Sequence, residues 1–219
     1  MTAIVHARTP GLWLDRRGVS IVEFGLCLPL LLGFALSGVE MANYILANGA
    51  AQRLATGVAD MVAQTGVGEI ATSEAQIYDM FASTDATAKP LDIKNNGRVI
   101  FSVIKGVTQS DGSVRNEYAD ATYAQQFHGG YVAAVPLLGC RTTTPLPTFT
   151  RTLPANEIMV HAQTTYMYKP LFSRSLLTMF ELPLTFTRTA TARVRKNRFQ
   201  ITNDAAHPSK SRCDSTTGL

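Results

Sequence analysis

Apolar residues along this chain collect in one early run. It reads VSIVEFGLCLPLLLGFALSGV from Val19 to Val39, with Glu23 as its single charge. Its 21 residues make a helix about 31 Å long at about 1.5 Å per residue, close to a hydrocarbon core of about 30 Å. After Glu40 the pattern turns periodic. Ala47, Ala51, Leu54, Val58 and Met61 recur at steps of four and three, which predicts an amphipathic continuation to about Gln64. That stripe either covers the protein's own sheet or packs on another subunit's helix. Ala47, Gly49, Ala50 and Ala51 allow close approach in both cases.

Gly66 and Gly68 close this helix. Ser73 followed by Gln76 reads as a capping box opening a short helix, with Ile77, Met80 and Phe81 inward, until Lys89-Pro90 breaks it. Arg98–Val107 alternates like a strand with at least one apolar face, Asp111-Gly112 is a turn signal, and Val114–Tyr118 is the expected hairpin partner. Between 119 and 156, Gly129-Gly130 and the prolines at 136, 145, 147 and 154 predict loops. Ile158–Tyr168 and Leu182–Val194 are the last strands. In the second, Thr185, Thr187, Thr189 and Thr191 alternate with Leu184, Phe186, Arg188 and Ala190, as on a sheet with one wet face. Residues 196–219 lack apolar periodicity and read as a flexible tail.

Composition changes this picture little; charge and cysteines change it more. The net charge is +4, but the basic residues gather at the two ends, Arg8, Arg16 and Arg17 before the run and Arg188 to Arg212 late, so a nucleic-acid partner is not expected. Arg16 and Arg17 directly precede the apolar run, and the next 20 residues after it hold only Arg53. The positive-inside rule then puts the N-terminus in the cytoplasm and the following domain outside. Cys27 lies within the run. Cys140 and Cys213 would share an oxidising compartment, where a bridge and free thiols both stay open. The histidines, 6, 128, 161 and 207, are scattered, with no metal-ligand spacing and no nucleophile, phosphate or dinucleotide motif nearby. Neither an enzyme, nor a cofactor, nor a metal site is expected.

A cleaved secretory signal is the competing reading of the run, with Ala35-Leu36-Ser37 as a weak cleavage site. The run exceeds the roughly 7–15 apolar residues such signals use. Glu23 sits about one turn into the membrane, where a carboxylate costs roughly 2.5–3.5 kcal/mol on insertion scales. It either finds a partner or snorkels toward Arg16 and Arg17.

The junction Arg16-Arg17-Gly18-Val19-Ser20-Ile21-Val22-Glu23-Phe24 resembles a type IV prepilin cleavage site. The resemblance implies that a membrane prepilin peptidase cuts the Gly18–Val19 bond on the cytoplasmic side. The new amine at Val19 of a neighbouring subunit could then pair with Glu23 and fix helix register, with Phe24 beside it. The longer segment from Arg16 to Val62 resembles TadE-like proteins of the tight-adherence (Flp, type IVb) pilus system. Pro29 in the run, the Gly38-Val39-Glu40 end and the alanine-rich continuation carry the likeness. Tyr166-Met167-Tyr168-Lys169-Pro170-Leu171-Phe172, followed by a strand ending near Arg193, carries it at the other end. Val19 departs from the Phe or Met common at this position in major pilins.

The implied organisation is α+β: a cytoplasmic leader (1–18), a transmembrane helix (19–40), its continuation (41–65), a pilin-like extracytoplasmic domain with an antiparallel sheet (66–195) and the tail. The implied function is that of a minor pseudopilin or pilus-assembly component in the bacterial inner membrane. Its partners would be other pilins, the assembly machinery, the prepilin peptidase and membrane lipid. The alternative is an uncleaved, membrane-anchored binding module of the cell envelope.

Overall fold

The computed structural model describes residues 19–65, 71–120, 124–140, 151–172, 174–195 and 199–219. In chain order the elements are α1 (Val19–Gln64), β1 (Thr72–Ser73), α2 (Glu74–Thr87), α3 (Ile93–Asn96), β2 (Gly97–Thr108), β3 (Val114–Tyr118), β4 (Gln125–His128), β5 (Ile158–Met167), α4 (Arg174–Met179), β6 (Thr185–Arg193) and β7 (Ile201–Thr202). This is the expected α+β arrangement, a long N-terminal apolar helix followed by an antiparallel sheet.

One unbroken helix of 46 residues, about 69 Å long at about 1.5 Å per residue, joins the two halves of the pattern. No residue from Val19 to Val39 is buried. Burial begins at Glu40 and then follows one face through Tyr44, Ala47, Ala51, Leu54, Val58 and Val62. Pro29 lies inside the helix and leaves the Gly25 carbonyl without its usual donor, which a membrane helix tolerates. The expected stripe therefore covers the protein's own sheet: α1 lies across β5 and β6. Alanines make the close approach, with Ala51 and Ala59 on the helix and Ala162, Ala190 and Ala192 on the strands in one apolar cluster.

The sheet runs β3-β2-β5-β6, with β4 pairing the same edge of β2 as β3; every pair is antiparallel. β2 is the centre because both of its faces are apolar. Val99, Phe101 and Val103 join the helix-side core, while Ile104 packs with Leu138 and Leu153 on the other side. The hairpin turns at Gly112, whose φ of 82° suits glycine, while Asp111 accepts from Ser113 N–H at 2.9 Å. The capping box forms as read: Ser73 accepts from Gln76 N–H and Gln76 from Ser73 N–H. Ile77, Met80 and Phe81 are buried. The expected strand from Leu182 starts three residues later, at Thr185, beyond Pro183.

Residues 199–219, expected to be a flexible tail, are folded onto the domain. Phe199 and Ile201 are buried, and β7 pairs in parallel with β1. Phe127 N–H donates to the Lys210 carbonyl at 2.8 Å. Arg98, fully buried over the Phe127 ring, donates to the carbonyls of Cys213 and Ser215 at 3.0 and 2.9 Å. Burial of that guanidinium lowers its pKa; the tail gives acceptors to its Nη2, while Nε and Nη1 are buried with no hydrogen-bond partner among the described residues. Cys213 is bonded to Cys140, with Cα atoms 6.0 Å apart. The contacts are irregular and long-range, so no periodic pattern announces them.

Candidate functional site

The first 21 residues of α1 form a rod with apolar side chains on every side. Ile21, Phe24, Leu26 and Phe34 are all more than 60% exposed. An 18-residue window of the helix has mean hydropathy 2.2 and nothing of it is buried. A core helix of a soluble domain would cover such a surface; this one is compatible with a single-pass membrane anchor. Within it Ser37 turns back on the helix, donating to the Gly33 carbonyl at 2.7 Å, and just beyond it Asn43 donates to the Val39 carbonyl at 3.0 Å.

Gly18, with Arg16 and Arg17, lies outside the described residues. Val19 opens the helix and is about half exposed. Glu23 and Phe24 point outward from the rod, and Glu23 has no hydrogen-bond or ion-pair partner among the described residues. Cys27 is an exposed thiol in the same span.

Where the rod meets the domain, the structure supplies what sequence reading missed. Glu40 is 1% exposed. One of its carboxyl oxygens accepts from the Tyr168 hydroxyl at 2.8 Å; the other accepts from the backbone N–H groups of Leu171 and Phe172, each at 3.0 Å. One turn on, the Tyr44 hydroxyl donates to the Pro183 carbonyl at 3.0 Å, and its ring meets Tyr168 and Phe186 edge-on. The next turn brings Asn48, which accepts from Arg188 Nε. The turn after brings Gln52, which donates to the Thr189 carbonyl at 3.1 Å. Glu40, Tyr44, Asn48 and Gln52 are spaced by four and so share one helix face. Together they form a polar ladder that ties four successive turns to β6 and to the connection between β5 and β6.

Burial is the first cause holding the Tyr168 hydroxyl well above the usual tyrosine pKa, and the bonded Glu40 adds to it. Tyr44 is raised by burial too, against the opposing charge of Arg188. Both phenols therefore remain protonated donors. The ladder fixes the rotation and height of residues 40–52 of the helix against the sheet. Glu-x3-Tyr-x3-Asn-x3-Gln was visible in the sequence as a spacing, but nothing there named the partners.

The histidines sit elsewhere. His128 stacks on Phe81 and contacts Asp85 at 2.9 Å, with burial lowering its pKa despite that carboxylate. His161 is buried in β5 and is likewise lowered by burial. Among the described residues, no group of histidine, cysteine and carboxylate side chains could hold a metal ion.

No curated protein and no solved structure matches the chain. The family model described as TadE-like protein does match, over residues 18–60. That stretch holds the apolar rod, Glu23 and all four rungs of the ladder, and the match is consistent with a TadE-like protein of tight-adherence pilus systems.

Proposed function

We propose that the protein is a minor pseudopilin, or assembly component, of a tight-adherence type IVb pilus, contributing to pilus biogenesis and surface adhesion without catalysing a reaction. The observation that carries this reading is Glu23. It is a lone carboxyl group on an otherwise apolar, wholly unburied rod, five residues after Gly18 in a segment that matches TadE-like proteins. A carboxylate at that depth calls for a partner, and the amine freed at Val19 of a neighbouring subunit would supply one. The partners are then other pilins, the pilus machinery and the prepilin peptidase. The anchor sits in the inner membrane with its N-terminus cytoplasmic and its domain periplasmic.

The ladder gives this arrangement mechanical sense. Register set by Glu23 within a bundle of helices is carried along the same unbroken helix to Glu40, Tyr44, Asn48 and Gln52, which bond the sheet side of the domain.

N-terminal sequencing and intact-mass measurement of the membrane-purified protein test the proposal. Val19 is the expected first residue, and Glu23→Ala is expected to be processed yet lost from assembled pili. Retention of residues 1–18, with no crosslinks from cysteines placed along 24–39 to other pilin-like subunits, would instead indicate an uncleaved envelope-binding module. Normal surface pili and adhesion after deletion of the gene would also overturn the assembly role.

A further inference from the structure

Beyond α1 itself, the exposed large apolar side chains of the described residues are few: Val135, Leu137, Leu171, Phe172, Met179, Phe180 and Leu219. Leu171, Phe172, Met179 and Phe180 belong to the single connection between β5 and β6. Exposed aromatic and aliphatic side chains concentrated in one segment point to a binding surface.

The ladder says where that connection lies. Glu40, the residue after the apolar run, binds the backbone of Leu171 and Phe172, and Tyr44 binds the Pro183 carbonyl. Both ends of the connection are therefore held within one helical turn, about 6 Å of rise, of the point where the span ends. The polar layer outside the hydrocarbon core is about 5–7 Å deep on each side. With the span ending at Glu40, both tethered ends of the connection lie at the depth of that layer. Leu177 is buried against the domain while Met179, 77% exposed, and Phe180 face away from it. Lys169 and Arg174 are exposed in the same connection, with Glu181 as its one acid. Ile45 and Leu46 on α1, also exposed, continue the apolar surface around the helix exit.

We propose that the β5–β6 connection is a second membrane contact. Leu171, Phe172, Met179 and Phe180 enter the headgroup–acyl boundary of the same bilayer that α1 crosses, and Lys169 and Arg174 meet lipid phosphates. Aromatic side chains favour this layer, and basic ones reach its phosphates along their apolar stems. A rod held by the ladder at one height presents the connection to lipid at a fixed depth, so the domain sits on the membrane instead of swinging above it. The inference rests on reading α1 as a membrane anchor.

Depth-dependent quenching of single-tryptophan variants tests it. The full chain, with Trp13 (its one tryptophan) replaced by Phe, is reconstituted in phosphatidylethanolamine–phosphatidylglycerol vesicles with brominated acyl chains. Leu30→Trp reports the span, Phe172→Trp and Phe180→Trp the connection, and Ser110→Trp the β2–β3 turn at the far end of the sheet. If Phe172→Trp does not fold, Met179→Trp, at the most exposed position, replaces it. The connection variants are expected to be quenched by brominated lipid at least about twofold more than Ser110→Trp, and to be shielded from iodide. Leu30→Trp quenched while the connection variants remain as open to iodide as Ser110→Trp would overturn this proposal alone and leave the face for a protein partner. Leu30→Trp unquenched would overturn the anchor reading and the proposal with it.

Discussion

Glu40 concentrates more structural consequence than any other polar residue in the helix. Its carboxyl group accepts three hydrogen bonds while 1% exposed, so removing it strands a buried hydroxyl and two backbone N–H groups. Glu40→Ala is expected to cost about 3 kcal/mol, since each unsatisfied buried donor costs about 1–3 kcal/mol and some will find water. Glu40→Gln should cost only about 1 kcal/mol. Its amide oxygen can take both backbone donors where one carboxyl oxygen now does, and its NH2 can donate to the Tyr168 hydroxyl, which is able to accept. Denaturation of the detergent-solubilised full chain, followed by circular dichroism, measures both. Equal losses for the two variants would show that charge, and not acceptor geometry, holds the joint. Glu40 was legible as the end of the apolar run and as part of the Gly-x-Glu likeness. Its partner was not, because Tyr168 lies 128 residues away and only the fold brings it near.

At the scale of elements, α1 behaves as two helices fused without a break. Before Glu40 no residue is buried, so the side chains follow no one-sided pattern. After Glu40 one face meets a sheet, and residue size matters as much as polarity. Ala51 is fully buried against that sheet's apolar cluster. Ala51→Leu is expected to destabilise the protein by about 1–3 kcal/mol through overpacking, whereas Ala42→Leu, on the exposed face, should change stability by less than about 0.5 kcal/mol. The same denaturation measurement separates them, and equal effects would mean the helix does not dock as described. Periodicity revealed this face because burial on one side of a helix repeats every three or four residues. The longer strands β2, β3, β5 and β6 were legible for the equivalent reason at period two. The four-residue β4 and six-residue α4 were not, since each is too short for a period to show.

For the molecule as a whole, the C-terminal segment is the main revision. It closes the fold through the bond between Cys140 and Cys213, 73 residues apart in sequence. Cross-linking a loop of that length removes chain entropy from the unfolded state worth about 4 kcal/mol. The Cys140→Ser, Cys213→Ser double variant is accordingly expected to lose up to about 4 kcal/mol and to become sensitive to proteases within 199–219. Peptide mapping without reductant should recover the linked pair from the wild-type protein. Two free thiols there, or no change in protease pattern, would contradict the arrangement. The bond also lies beside Arg98, whose Nη2 takes the Cys213 and Ser215 carbonyls as acceptors, so loss of the tail strips a buried guanidinium of those acceptors.

Features that repeat or signal locally could be read along the chain. A run of apolar residues long enough for a bilayer, the period of the docked helix, the alternation of the strands, the Ser73 cap and the Asp111-Gly112 turn all act through neighbours a few residues apart. Pairings of singular groups came only with the folded chain: Glu40 with Tyr168, Asn48 with Arg188, Arg98 with the tail, Cys140 with Cys213. Each pair spans a large part of the chain and has no period. Polarity signals that a partner is needed, but only packing of the helix on the sheet determines which group comes within reach.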